Sequence, residues 1–153
     1  MAERWLGVVV ASDKVTVVDA TVDGDNPIVI QADVTWSLQD GARPEGYRVM
    51  HQRIADYARE NNIAHAIIKG SAVSLRGTKK AHLEAAELRG VTACALASVT
   101  KVTFESKANI SRNFGERRVD DYLKDKDFWA KEVSSGNLRV GSREAAIVIL
   151  AAR

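Results

Sequence analysis

The sequence predicts an α/β domain on a mixed five-stranded sheet, ordered β-β-β-α-β-α-β-α, with helices flanking the sheet. Three observations predict it. Three apolar segments separated by turn residues open the chain. Apolar segments then alternate with stretches of helical periodicity. The 153 residues, 46% hydrophobic and 27% charged, have the size and composition of one ordinary globular domain spanning 1–153.

Trp5 to Ala11 (WLGVVVA) is a continuous apolar run, the pattern of a strand covered on both faces. Ser12-Asp13-Lys14 is turn-like, so Val15 to Val22 (VTVVDATV) follows as the second arm of a hairpin. Asp23-Gly24-Asp25-Asn26-Pro27 forms the next turn, and Ile28 to Trp36 (IVIQADVTW) the third strand. Three antiparallel strands at the start exclude a simple doubly wound sheet. Gly41 to Pro44 breaks the pattern. A helix is then predicted from Glu45 to Asn61, with Tyr47, Met50, Ile54 and Tyr57-Ala58 at three- and four-residue steps along one face. Ala64 to Ile68 is a short strand, and Gly70 to Gly77 a flexible-looking connection. Thr78 can cap a helix reaching Leu88, with Leu83, Ala86 and Leu88 toward its buried side and Arg89-Gly90 closing it. Val91 to Ala97 is expected as a buried fifth strand containing Cys94, a small hydrophobe there. Helical patterns with interruptions follow over 99–114, 117–133 and 142–152. Strand–helix–strand–helix–strand implies parallel pairing by right-handed crossovers in that half.

Composition limits the function classes. No apolar run approaches the roughly 20 residues of a membrane span. The start, Met1-Ala2-Glu3-Arg4-Trp5, has neither a basic n-region nor a small-residue cleavage site, so no secretory signal is expected. The single Cys94 cannot form an internal disulfide, and a reducing cytoplasmic setting is expected. The net charge of +2 hides a division: residues 1–68 carry −4, residues 69–118 carry +6 and residues 119–153 carry 0. A basic middle third suggests a polyanion partner.

The element order is similar to that of ribonuclease H-like folds. Local segments narrow the resemblance to RuvC-type Holliday junction resolvases: Leu6-Gly7-Val8-Val9 resembles their first-strand motif, and Leu83 to Val91 (LEAAELRGV) their second helix. Ser98 to Ser111 resembles the segment after their fifth strand, and Ser142 to Ala152 (SREAAIVILAA) their final helix. The resemblance implies two-metal phosphodiester hydrolysis, with two divalent cations about 4 Å apart clamping the attacking and leaving oxygens. Mg²⁺ and Mn²⁺ would need carboxylates from the first strand, the end of the fourth strand and the last helix. Here those places hold Val9, Lys69, and the set Ser142, Glu144 and Ala145. No metal site is expected from a valine, a lysine and one glutamate. A displaced set, Asp13 or Asp19 joining Glu144, is the enzymatic alternative, with Mg or Mn as cofactor. Asp13 lies four residues past the expected position, which at about 3.3 Å per residue exceeds 10 Å.

The remaining chemistry is cationic. His51, His65 and His82 have no ligand spacing with one another. Lys69 to Lys80 follows a strand, contains two glycines and leads into a helix, so its amides suit a phosphate as well as a plain connection; it lacks the Gly-Lys-Thr/Ser order of a Walker A loop. Arg112, Arg117 and Arg118 surround Phe114, as in grips on single strands, or as on a surface over a buried ring. The tract with Tyr122, Phe128 and Trp129 reads as packing against the sheet or a second subunit. The expected function is a non-catalytic module binding nucleic acid or a nucleic-acid-processing protein, with Lys69, Arg76, Lys79, Lys80, Lys107, Arg112, Arg117 and Arg118 as phosphate contacts. The resemblance adds a homodimer. A protein-interaction scaffold without polyanion affinity is the third reading.

Overall fold

The computed structural model describes residues 2–70, 79–115 and 117–153. Strands β1 (Glu3–Val10), β2 (Lys14–Val22) and β3 (Ile28–Ser37) form an antiparallel meander. Helix α1 (Arg43–Glu60) follows, with Pro44 in its first turn, where proline's missing N–H costs nothing. Strand β4 (His65–Lys69) then adds parallel to β1. Helix α2 (Lys80–Ala97) leads to β5 (Lys101–Glu105), parallel to β4 at the sheet edge. Three short helices, α3 (Lys107–Phe114), α4 (Val119–Lys124) and α5 (Lys126–Glu132), precede β6 (Val133–Ser135), which pairs parallel to β3. Helix α6 (Arg143–Ala152) ends the chain. The strand order is β5-β4-β1-β2-β3-β6.

Period-two alternation sorts the side chains into two cores. Leu6, Val8 and Val10 of β1, with Val15 and Val17 of β2, face α1 and α2 and pack on Met50, Ile54, Leu88 and Leu96. Val18, Ala20, Val22 and Ile67 face the other way, onto the apolar run 145–150 of α6, Tyr122 and Trp129. Helix α6 sits unusually low over β1. A Cβ on Gly7 would lie 1.8 Å from the Ala145 carbonyl oxygen, so only glycine permits this approach. Among the described residues no helix is long and apolar enough to cross a membrane.

The fold is the mixed sheet with flanking helices that the sequence predicts, with differences in its second half. The sheet has six strands rather than five, β6 being a three-residue addition. Val91 to Ala97 is not a strand; it is the C-terminal half of α2. Leu88, Thr92, Ala95 and Leu96 are its buried stripe, a three- and four-residue recurrence that continues past Arg89-Gly90, because Gly90 lies on the exposed side and does not end the helix. The fifth strand is instead Lys101–Glu105, inside a region expected to be helical. As an edge strand it carries polar residues at positions a central strand would fill with aliphatic ones. Leu83 and Ala86 are exposed on α2 rather than buried, and Cys94 is exposed there too. The expected Thr78 cap lies outside the described residues; α2 begins at Lys80, after Lys79.

Candidate functional site: a cationic cleft at the mouth of the parallel strands

Strands β1, β4 and β5 run parallel, so their C-terminal ends open at one edge of the sheet, the place where α/β folds collect ligands. A cleft of about 430 Å³ lies there, lined by Val9 and Val10 from β1, Lys69 and Gly70 from the end of β4, Arg89 from α2, and Ser106, Lys107 and Ala108 at the start of α3. Each arrives for a local reason. His65, Ile67 and Lys69 alternate onto the α6 face of β4, and Ile67 is buried in that core, so Lys69 points toward α6. Its ammonium meets the Glu144 carboxylate in the first turn of α6. Ser106 caps α3, its hydroxyl accepting from the Asn109 N–H at 3.1 Å, and this brings Lys107 to the rim. Arg89 reaches the cleft because α2 continues through Gly90.

Three cationic side chains share this space, Lys69 paired with Glu144 and Lys107 with Asp120. Burial, and then the nearby Lys107 and Arg89, press the Lys69 ammonium toward its neutral form; the Glu144 carboxylate that it touches acts the other way and keeps the ion pair. Burial likewise lowers the pKa of Arg89 from the usual guanidinium range. Among the described residues its buried Nε–H has no hydrogen-bond partner. Lys107 is half-exposed and lies 3.5 Å from Asp120. A second, shallower cavity of about 220 Å³ adjoins the first and shares Lys107 and Ala108 with it, extending past Ser111, Arg118 and Asp120.

The structure separates the predicted site residues. Lys69 and Lys107 line the cleft, and Lys107 and Arg118 line its extension. Lys79 and Lys80 are exposed at the start of α2 and Arg112 is exposed on α3, none of them among the lining residues. Arg117 is tied up elsewhere, bonded to Asp125 at 2.9 Å with its guanidinium 4.3 Å from the centre of the Tyr122 ring. Phe114 packs edge-on to Phe128, with centroids 5.7 Å apart, and against Tyr122, so it is a core ring rather than a stacking platform. Arg76 lies outside the described residues, as does most of the 69–80 segment considered for phosphate contact. Arg89 and Ser106 were missed from the sequence. Arg89 reads as a helix-closing residue until α2 is known to run on.

The carboxylates do not assemble a metal centre. Among the described residues, no group of three or more His, Cys, Asp or Glu side chains is arranged to hold a metal ion. Asp13 is exposed in the turn after β1. Asp19 faces the opposite side of the sheet, fully buried, accepting from Arg4 Nε at 3.1 Å and from the Tyr57 hydroxyl at 2.6 Å. At the mouth Lys69 holds Glu144, Glu105 ends β5 in register with Lys69, and Asp120 lies against Lys107. Two divalent cations need several oxygens, so these residues do not fit them.

Three solved structures share this architecture. RuvC of Thermus thermophilus in complex with a Holliday junction substrate superposes with a TM-score of 0.73 at 9% identity, covering 97% of this chain and 91% of that one. Another T. thermophilus RuvC structure gives 0.71 at 9% identity over 96% and 92%. The yeast mitochondrial Holliday junction resolvase Ydc2 gives 0.66 at 10% identity over 97% and 78%. No family model and no curated protein matches the sequence. The chain therefore has a RuvC-like, ribonuclease H-like fold.

Proposed function

We propose that this chain is a non-catalytic RuvC-like module that binds nucleic acid by its phosphates, using the cleft formed by Lys69, Arg89 and Lys107 and its extension past Arg118. The observation that carries this reading is the reversal of charge at the mouth of the parallel strands: cationic side chains stand where metal chemistry needs carboxylates. A cleft with low-dielectric walls focuses such charge toward a polyanion. T. thermophilus RuvC is described with a Holliday junction substrate, which makes branched DNA the first ligand to try. The proposal includes a cytosolic setting and pairing of two copies, the latter read by light scattering.

Fluorescence anisotropy with branched, duplex and single-stranded DNA and with RNA, from about 50 mM to about 200 mM salt, tests the binding. Affinity should fall with salt. A Lys107→Gln/Arg118→Gln variant should flatten the log–log slope by about two, since each neutralised cation leaves one phosphate unmatched. If no nucleic acid binds at low salt, the reading fails and an interaction scaffold replaces it. The non-catalytic part is tested by incubation with Mn²⁺ and junction DNA. Cleavage that disappears in Glu144→Gln would overturn it.

A further inference from the structure

The two adjoining cavities differ in a way that bears on what part of a strand they receive. The larger one is the more enclosed; Val9 and Val10 line it together with Lys69, whose ammonium is paired with Glu144. It adjoins the smaller cavity at Lys107 and Ala108, which line both. The cations are concentrated at the enclosed end, where Lys69, Arg89 and Lys107 converge, and Arg118 stands in the extension. The concentration of cations at one end suits the most highly charged part of a strand, its terminal phosphate.

The charge balance points the same way. A phosphodiester carries one negative charge and a terminal phosphomonoester nearly two at neutral pH. Lys69 already has Glu144 as counter-charge and Lys107 has Asp120 at 3.5 Å, but among the described residues the buried Nε–H of Arg89 has no hydrogen-bond partner. Like charges crowded in a partly desolvated space gain most from the ligand with the higher charge density. The guanidinium adds a fork that fits two phosphate oxygens at once. Helix α3 begins at the cleft, so the positive end of its dipole adds to the same field. At about 430 Å³ the recess also has room for the sugar or base attached to that phosphate, over an apolar floor.

We propose that the enclosed end of the cleft captures the terminal phosphate of a nucleic-acid strand, a phosphomonoester held by Lys69, Arg89 and Lys107, while the next nucleotide lies in the extension beside Arg118. This rests on the nucleic-acid reading above and narrows it to strand ends. The phosphate exchanges with Glu144 for the Lys69 ammonium and is met by the terminal nitrogens of the Arg89 guanidinium. No bond is made or broken.

The test uses the full chain and four single-stranded DNA 12-mers of one sequence: 5′-phosphorylated, 3′-phosphorylated, hydroxyl at both ends, and covalently circular. The expected result is on the order of tenfold tighter binding of one phosphorylated oligonucleotide over the hydroxyl-ended and circular ones, the increment of about one charge-assisted hydrogen bond. In Arg89→Gln and in Lys107→Gln, the ratio of phosphorylated to hydroxyl affinity should fall to about one. Being a ratio, it does not respond to the folded fraction. Equal affinity for all four oligonucleotides overturns end capture and leaves general nucleic-acid binding standing. A preference that survives in both variants overturns the assignment to this cleft. If none of the four binds, and duplex and branched DNA also fail, both readings fall together.

Discussion

Two carboxylates held by cations on opposite faces of the sheet, Asp19 and Glu144, have opposite fates. On the α1 side, Asp19 is fully buried, bonded by Arg4 and by the Tyr57 hydroxyl. On the α6 side, Glu144 holds Lys69 beside a cleft, with both side chains part-exposed. The Asp19 network is saturated. Three elements converge on it, and the hydrogen bond to Asp19 raises the Arg4 pKa, while burial and then the Asp19 hydrogen bond raise that of the Tyr57 phenol. The Lys69–Glu144 pair lies beside two further cations, Lys107 and Arg89, and among the described residues the Arg89 Nε–H has no hydrogen-bond partner. A closed network fixes the fold; an open one with surplus charge is available to a ligand.

The sharpest way to break that contrast is Asp19→Ala. Removing the buried carboxylate strands the Tyr57 hydroxyl and a third-exposed Arg4, and a destabilisation of about 3 kcal/mol in urea unfolding is expected, with the phosphorylated-to-hydroxyl binding ratio unchanged. A change below about 1 kcal/mol, the range of an exposed pair, would show that the network is not structural. Next is Gly7→Ala, whose Cβ would collide with the Ala145 carbonyl oxygen; overpacking of this kind costs about 1–3 kcal/mol and should weaken oligonucleotide binding by shifting Glu144, the partner of Lys69.

Lys69→Gln sharpens the comparison from the other side. As one of a part-exposed pair it should cost no more than about 1 kcal/mol in stability, yet reduce oligonucleotide affinity about tenfold. The reverse manipulation is Val9→Asp with Lys69→Glu, which would set two new carboxylates beside Glu144. Calorimetry should then detect Mn²⁺ binding at about 10⁻⁴–10⁻³ M that the unaltered protein does not show. No binding would mean that the cleft is not the counterpart of a metal centre.

The smallest effect concerns His65, which shares the α6 face of β4 with Lys69. Burial, reinforced by Lys101, lowers its pKa below 6.5, and Thr103 Oγ1 lies 2.9 Å from its Nε2. The unfolded chain therefore binds the proton more readily. Stability present above about pH 6.5 should decline as pH falls toward the folded-state value, then level off with respect to this group. His65→Gln should remove that slope in pH-dependent unfolding; an unchanged slope assigns it to another group.

What the sequence disclosed follows from which signals survive burial. The opening meander was legible to within about two residues because aliphatic runs and the Asp23–Pro27 turn are local signals. The Val9, Lys69 and Glu144 positions were legible through family-like segments, and the structure does bring Lys69 and Glu144 together. The helix–strand exchange at 91–105 was hidden because VTACALA is apolar enough for a strand, while the true strand KVTFE sits at an edge and alternates weakly. That one error concealed Arg89. Asp19 could not be assigned a side of the sheet from spacing alone, although one side makes it a ligand candidate and the other a structural carboxylate.

The bare Cα of Gly7 has a mechanical consequence. Because α6 rests backbone against backbone on β1, with residues 145–150 all buried, the side of the cleft lined by Val9 and Val10 is braced. The opposing side is α2 with α3, and α3 buries only Ile110. Any widening to admit a guest must come from that side, so amide exchange should be slowest along α6 and should change on ligand addition mainly in α3.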